Sequence, residues 1–324
     1  MNEFIITEDF PKNEIEFDQR FLNATACYQY LFSMKWPQGF SCANCGHQEY
    51  WSSKKYIYIC KRCLHQHSLT AGTVLDSSKK PITYWFKAMW WFTTRKAGIN
   101  AVNLQELLGF GSYNTAWAWL QKLRRCTIRK DREKLSGTVE VDEFFIGGEK
   151  SGKRGRGATG KTIIATAVQR NGNKLGRIRL KVIPNCSSAA LSAFVNDSVA
   201  AGSSVYTDGW KGYYGLDKEI YTHYQVFQNK SSDKDSVLPG VHLIASLVKR
   251  MIIGTHQGRF EPRYLQNYLD EYVFRFNRRT SRSIGKKFMR LVQQVIHSTK
   301  TTLAQLVKTA HSQSPCECSF GLSA

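Results

Sequence analysis

Four cysteines near the start of the chain, Cys42, Cys45, Cys60 and Cys63, fall in a C-x2-C-x14-C-x2-C pattern. Two thiols separated by a two-residue gap can converge on one ion from a single turn, and a second such pair closes a tetrahedron. The run between the pairs is long enough for a short hairpin. Four soft thiolates in that arrangement suit Zn2+. With every position filled by protein, such an ion holds structure and has no vacancy for catalysis. The first constraint on the fold is therefore a zinc ribbon, bounded here at residues 37–73. The remaining cysteines, Cys27, Cys126, Cys186, Cys316 and Cys318, lack that spacing. Metal-type spacing predicts a reducing cytoplasm over a disulfide framework. The acidic N-terminus MNEFIITEDFPKNE is unlike a basic secretory leader.

Charge narrows the partners. Lys and Arg number 46 against 25 Asp and Glu, a formal net charge of +21 on 324 residues. An excess of that size calls for a polyanion, nucleic acid before an acidic membrane surface. No apolar run approaches the roughly 20 residues that cross a bilayer, so a membrane partner is not expected. Lys54, Lys55, Lys61, Arg62, His65 and His67 surround the ribbon, interleaved with Trp51, Tyr56 and Tyr58. Two readings stand for this cluster: aromatics packing a module too small for its own core, or a surface meeting DNA phosphates. His65 and His67 could also compete with the cysteines for the ion.

A helical lead-in (1–36) precedes the ribbon, and a helical module (74–134) follows it. Pro81 suits the first turn of a helix in which Trp85, Met89 and Phe92 share one face, broadened by Ile82, Phe86 and Trp90. A short helix over 101–108 ends at Gly109, and a third begins near Ser112 and becomes basic from Lys122. Helix-turn-helix geometry and a plain helical linker both fit. Either way, Trp85, Trp90 and at least one of Trp117 and Trp119 are predicted to be structural.

From Gly137 the period changes. TVEVDEFFIGG, TIIATAVQR and GRIRLKVIP read as strands, the last two joined by the turn NGNK. CSSAALSAFVNDSVAAG reads as a helix and SSVYTDG as a fourth strand, which together describe a mixed sheet with helices on it. Asp142 and Asp208 end or follow the first and fourth strands, and they meet if those strands are neighbours. Carboxylates so placed can share divalent ions of the kind that cut and join phosphodiesters. Glu143 should point to the opposite face of its strand. The glycine-rich basic run with Lys150, Lys153, Arg154, Arg156 and Lys161 lacks the G-x-x-x-x-G-K-S/T order of a nucleotide loop. It reads as a DNA-phosphate contact or as a solvated loop. Trp210 and Tyr213 could cover the aspartate site or stack on a base. In the helix opening near Val241, His242, Ser246 and Lys249 nearly share one face, and Arg250 adds charge. His242 is also readable as an ordinary helix-start histidine.

These blocks together resemble the IS1595 family of bacterial insertion-sequence transposases, the group with an ISXO2-like transposase domain. The resemblance is carried by the four ribbon cysteines, VEVDEFFIGG, VYTDGWKGY, VHLIASLVKRMIIGTHQG and YLDEYVFRFNRR, and spans about residues 20 to 295. It implies an α/β, RNase H-like catalytic domain over 135–295, with a C-terminal tail over 296–324. It further implies two Mg2+ or Mn2+ ions, cleavage and strand transfer of double-stranded DNA at terminal inverted repeats and target, and a homodimer or larger synaptic assembly in a bacterial, nucleoid-associated setting. Asp142 and Asp208 match the first two acids of the usual Asp-Asp-Glu triad. The third position falls at His242, with Lys249 at the trailing basic position; family members vary there, with Asn or His for Glu. Imidazole suits Mn2+ and Zn2+, whereas Mg2+ prefers oxygen, so Glu261, Asp270 and Glu271 are substitute carboxylates to weigh. Two other functions fit the same motifs: a zinc-ribbon DNA-binding regulator with an inactive nuclease-like domain, and a metal-dependent nuclease without strand transfer.

Overall fold

Asparagines open the first two helices. Asn13 accepts the Glu16 N–H ahead of α1 (Glu14–Arg20), and Asn23 accepts that of Ala26 ahead of α2 (Ala24–Lys35), each satisfying a first-turn donor with no partner inside the helix. The structure, a computed structural model, describes residues 9–129, 131–147, 161–227, 238–258 and 260–308. Contacts divide it into two units, Met1–Lys130 with Thr280–Ala324, and Asp131–Arg279.

In the first unit, β1 (Tyr50–Ser52), β2 (Ile57–Cys60) and β3 (Gln66–Ser68) form an antiparallel sheet in that order. The ribbon is too small to bury a core alone, and α2 supplies one: Phe32 packs on Tyr58 and Trp36 on Phe40, both with centroids 4.9 Å apart. Tyr58 is buried beneath the strands while Trp51 stays exposed. The packing reading thus holds for the first aromatic and not for the second.

Helix α3 (Ile82–Thr94) begins after Pro81 and buries Ile82, Trp85, Phe86, Met89, Trp90 and Phe92. These residues cover more than one face, so the helix is a core element. Trp85 stacks on Trp119 of α5 (Tyr113–Arg125) with centroids 3.6 Å apart and planes 10° from parallel. Between them α4 (Ala101–Leu108) stops at Gly109, whose φ of +60° is the left-handed cap that favours glycine. Helices α4 and α5 pack on each other across that turn.

In the second unit β4 (Thr138–Ile146), β5 (Thr162–Asn171) and β6 (Lys174–Ile183) run as an antiparallel meander. Helix α6 (Ser188–Ser198) then returns the chain to β7 (Ser204–Thr207), parallel to β4, and β8 (Thr222–Gln225) adds in parallel to β7. The order β6-β5-β4-β7-β8 is a mixed sheet of RNase H-like type following a zinc ribbon. Val139, Val141, Ala165, Ala167 and Val205 meet Leu191, Phe194 and Val195 of α6 on one face. On the other face lies α7 (Pro239–Gly254), packed over β4 and β5. Helix α8 (Leu265–Phe276) runs along the outer edge of β6 and satisfies its backbone. Gln266 bonds the Val182 N–H and the Leu180 carbonyl, and Asn277 bonds the N–H and carbonyl of Ile178. An edge that would otherwise template another strand is closed by side-chain amides.

The sequence reading carries the catalytic segment to residue 295. In the structure α9 (Gly285–Ile296) instead packs on α2 and α3 in the first unit. There Phe288 joins Phe17, Phe21, Phe86 and Trp90 in one aromatic cluster. Gly285 passes so close to the Pro11 carbonyl that a Cβ would sit 1.7 Å from it. A short α10 (Leu303–Lys308) reaches α5.

Candidate active site and metal centre

The ribbon brings Cys42, Cys45, Cys60 and Cys63 together with all four Sγ atoms within 4.8 Å of one another. The pairs Cys42–Cys63 and Cys45–Cys60 are each 3.6 Å apart. A tetrahedron of Zn–S bonds of about 2.3 Å needs S···S separations of about 3.8 Å, so the donor set fits the ion. His67 is buried, its Nε2 3.3 Å from Cys42 Sγ. It supports a ligand where the sequence allowed it to compete as one. Lys54, Lys55, Lys61 and Arg62 are all exposed around this module, Lys61 lying 3.5 Å from Glu49.

In the second unit, the parallel register of β4 and β7 decides where the aspartates fall. Val139 faces Val205 and Glu140 faces Tyr206. Two residues further along each chain segment come Asp142 and Asp208, the latter at the point where β7 gives way to loop. Each carboxylate has an oxygen fixed by backbone: Asp142 Oδ1 accepts the Glu143 N–H at 2.7 Å, and Asp208 Oδ1 accepts the Trp210 N–H at 3.1 Å. Both are half-buried. Glu143 turns to the α6 face, as strand alternation requires, and accepts the Tyr213 hydroxyl at 2.9 Å. The Tyr213 hydroxyl is held well above its ordinary range, first by burial, then by the negative charge of Glu143 and Asp142 and the bond to Glu143, with Asp208 adding to it. A protonated phenol is thus buried against Glu143 on the α6 face.

Helix α7 brings the basic side. Its buried stripe, Val241, Ile244, Ala245 and Val248, faces the sheet, leaving His242, Ser246, Lys249 and Arg250 exposed. The start of the helix is clamped by Glu140, two residues before Asp142 and on the same face of β4. Glu140 Oε2 accepts the Val241 N–H at 3.1 Å, and Oε1 lies 3.3 Å from Arg170 Nη1. Gly240 lets the helix approach this closely, because a Cβ there would lie 2.7 Å from Glu140 Oε2. Between β4 and α7 opens a cleft of about 510 Å3 lined by Asp142, Phe144, Phe145, Lys161, His242, Ser246 and Lys249, among others. The Lys249 ammonium lies 5.8 Å from the centroid of the Phe144 ring.

The structure therefore gathers Asp142, Lys161, His242 and Lys249 around one cleft, and the β4–β7 register brings the segment leading to Asp208 next to the segment leading to Asp142. Among the described residues, the cysteines are the only group of three or more ligand side chains within 4.8 Å of one another. Asp142, Asp208 and His242 are thus more open than a closed single-ion cage. Trp210 is half-buried, donates its indole N–H to the Cys186 carbonyl at 3.1 Å and packs on the α6 core. Lys150, Lys153, Arg154 and Arg156 lie outside the described residues. None of the substitute carboxylates lines the cleft: Glu271 is buried 3.2 Å from Arg275, Asp270 accepts from Gln266 at 2.8 Å, and Glu261 is exposed beside Arg263. Sequence reasoning missed Glu140 and the Tyr213–Glu143 pair. The signal for Glu140 was present, since in a strand the residue two before Asp142 shares its face.

Comparison with known families agrees with this architecture. Residues 134–277 match the ISXO2-like transposase domain, and residues 22–66 match a transposase zinc-ribbon domain. No curated protein matches the chain. Among the described residues no helix is long and apolar enough to cross a membrane.

Proposed function

Because the chain carries the ISXO2-like transposase domain together with its IS1595-type zinc ribbon, we propose that it is a DNA transposase. In this reading it cleaves at the ends of an insertion sequence and joins them to target DNA by metal-dependent phosphodiester transfer. The observation that supports the reading is the parallel β4–β7 register, which pairs Glu140 with Tyr206 two residues before Asp142 and Asp208, together with the cleft that Asp142 lines with Lys161, His242 and Lys249. Two hard carboxylates, half-exposed and each oriented by a backbone N–H, fit Mg2+ or Mn2+. His242, on the first turn of α7, is the nearest candidate for a third contact. When bound, a pair of such ions activates the attacking hydroxyl and stabilises the leaving oxygen in an in-line displacement.

The residues of the chain do the rest. Asp142 and Asp208 hold and orient the metal site; Lys249 and Lys161 meet the phosphate and offset charge that grows during attack. Tyr213, kept protonated, fixes Glu143 behind the site. The ribbon, with Lys54, Lys55, Lys61 and Arg62, and the helix-turn-helix pair hold the terminal inverted repeats, and a dimer or larger assembly brings the two ends together. The histidine at the third position favours one second reading, a zinc-ribbon DNA-binding regulator whose nuclease-like domain is inactive.

Strand cleavage and joining on matched inverted-repeat DNA separate these. Asp142→Asn and Asp208→Asn should each abolish both steps while leaving DNA binding intact, and retained activity in either sinks the two-metal proposal. His242→Ala should lose more activity with Mg2+ than His242→Glu does; an unaffected Ala variant removes His242 from the site.

A further inference from the structure

Among the described residues, the face of the sheet that carries Asp142 and Asp208 is only partly covered. Helix α7 packs over β4 and β5. On β7 and β8 the same face displays Tyr206 and Tyr224, which are register partners. Their rings are stacked, with centroids 4.8 Å apart and planes 18° from parallel. Tyr224 is 44% exposed and Phe227, just beyond β8, is 63% exposed. Tyr206 lies two residues before Asp208 and pairs with Glu140 on its other side, so the tyrosines adjoin the aspartates across the sheet. The Phe227 ring lies over Gly209, the residue after Asp208, where a Cβ would meet it at 2.5 Å.

Cross-strand aromatic pairs also stabilise sheets, by roughly 0.2–1 kcal/mol. That role does not require Tyr224 and Phe227 to remain in water, with Tyr206 half-buried, next to the proposed phosphodiester-cutting site. Exposed aromatic side chains next to lysines have one common ligand, unpaired nucleotides, whose bases stack on rings while phosphates meet the cations. Lys161 and Lys249 line the adjoining cleft and Arg250 is exposed on α7, and the chain carries a net charge of +21.

We propose that Tyr206 and Tyr224, with Phe227 at their end, form a stacking platform for unpaired bases of the DNA strand next to the scissile phosphate. The inference rests on the transposase reading and adds to it the class of DNA the site takes: a duplex with a single-stranded end, in place of a fully paired one. Trp210, whose indole is bonded to Cys186, is not part of the platform.

The test is fluorescence anisotropy with the full-length protein and no added divalent metal. The probes are two mixed-sequence duplexes of equal length, one blunt and one with a short single-stranded overhang carrying 2-aminopurine. Wild type should prefer the overhang, with 2-aminopurine fluorescence quenched on binding. Tyr224→Ala and Tyr206→Ala should each lose about tenfold in overhang affinity, the scale of stacking one base, and lose the quenching. Both should change blunt-duplex affinity less than twofold. Tyr224→Phe keeps the ring and should behave as wild type, which separates loss of stacking from loss of fold. Wild type that prefers neither probe, or a Tyr224→Ala protein that keeps the preference, overturns the platform while leaving the transposase reading standing, provided wild type cuts its own inverted repeats. Wild type that binds no DNA overturns both.

Discussion

Glu140 is the residue through which the catalytic sheet holds the helix that brings His242 and Lys249 to Asp142, and the consequence of removing it can be worked out. In Glu140→Ala, Arg170 loses its carboxylate and the Val241 N–H loses its acceptor. Breaking a buried ion pair from one side costs about 3–5 kcal/mol. The side chains here are 10% and 18% exposed, and Arg170 keeps a contact of 3.4 Å to the Gly172 carbonyl. Its share is therefore nearer about 2–3 kcal/mol, and the unmet N–H adds about 1 kcal/mol. For a unit the size of Asp131–Arg279, each kcal/mol moves the melting temperature by about 2–4 °C, so a fall of roughly 6–15 °C is expected. Glu140→Gln keeps the acceptor and the shape and loses only the charge, and should fall by about half as much.

Calorimetry gives the melting shift, and hydrogen exchange of the peptide covering 238–258 localises it. Exchange should rise first at the opening turn of α7. Cleavage should drop at least tenfold in Glu140→Ala because His242 and Lys249 lose their frame. Gly240→Ala supplies the cross-check. Its Cβ meets Glu140 Oε2 at 2.7 Å, with Leu175 and Arg170 next at 3.1 and 3.2 Å. In the Glu140→Ala background the tightest contact is gone, so the double variant should be less damaged than the sum of the singles. A Glu140→Ala protein that melts within 1 °C of wild type and protects α7 normally refutes the clamp. Strict additivity with Gly240→Ala refutes the close approach.

Two further outcomes follow from the structure. The purified chain should hold one Zn2+, detectable by atomic absorption; Cys60→Ser should lose it and release β1–β3 from protection against proteolysis, and zinc retained by that variant rules out the four-cysteine site. Asp270 is pushed up from 3.8 to about 7 by burial. An acid raised in the fold keeps a proton that the unfolded chain gives up, so its contribution is present below about pH 4 and declines as pH rises toward 7. Asp270→Asn should leave stability at pH 4 unchanged and raise it at pH 8, with about 4 kcal/mol as the ceiling; a variant with the same pH profile as wild type contradicts the assignment.

Much of this was legible because it is local. Cysteine spacing encodes the ribbon, and β-branched runs with a glycine turn encode β4, β5 and β6. Gly109 encodes the end of α4, since few other residues adopt its φ of +60°. The neighbouring of β4 and β7 was legible only as a condition, because parallel partners are chosen by the crossover through α6 and not by either strand. β8 was not read: THYQ is short, two of its side chains are exposed and two half-buried, and it exists because β7 offers an edge. The place of α9 was misjudged for a related reason. Its apolar stripe says that it must be buried, but not against which surface, and the aromatics of α1, α2 and α3 decide that.

The clamp also reframes the histidine at the third position. Asp142 and Glu140 stand on one face of one strand, so the residue that binds metal in the proposed mechanism and the residue that fixes α7 are rigidly coupled. His242 is the next residue after the one Glu140 holds. Its backbone is therefore set by β4, while its exposed side chain is free to choose among rotamers. A carboxylate at that position would have to reach the metal from the same fixed backbone point. What distinguishes histidine there is a neutral, softer donor, which moves metal preference toward Mn2+. The Mg2+-to-Mn2+ activity ratio of wild type and His242→Glu is thus a direct measure of whether the imidazole touches the ion. If it does, the ratio rises on substitution, and if the ratio stays fixed, the imidazole serves the phosphate.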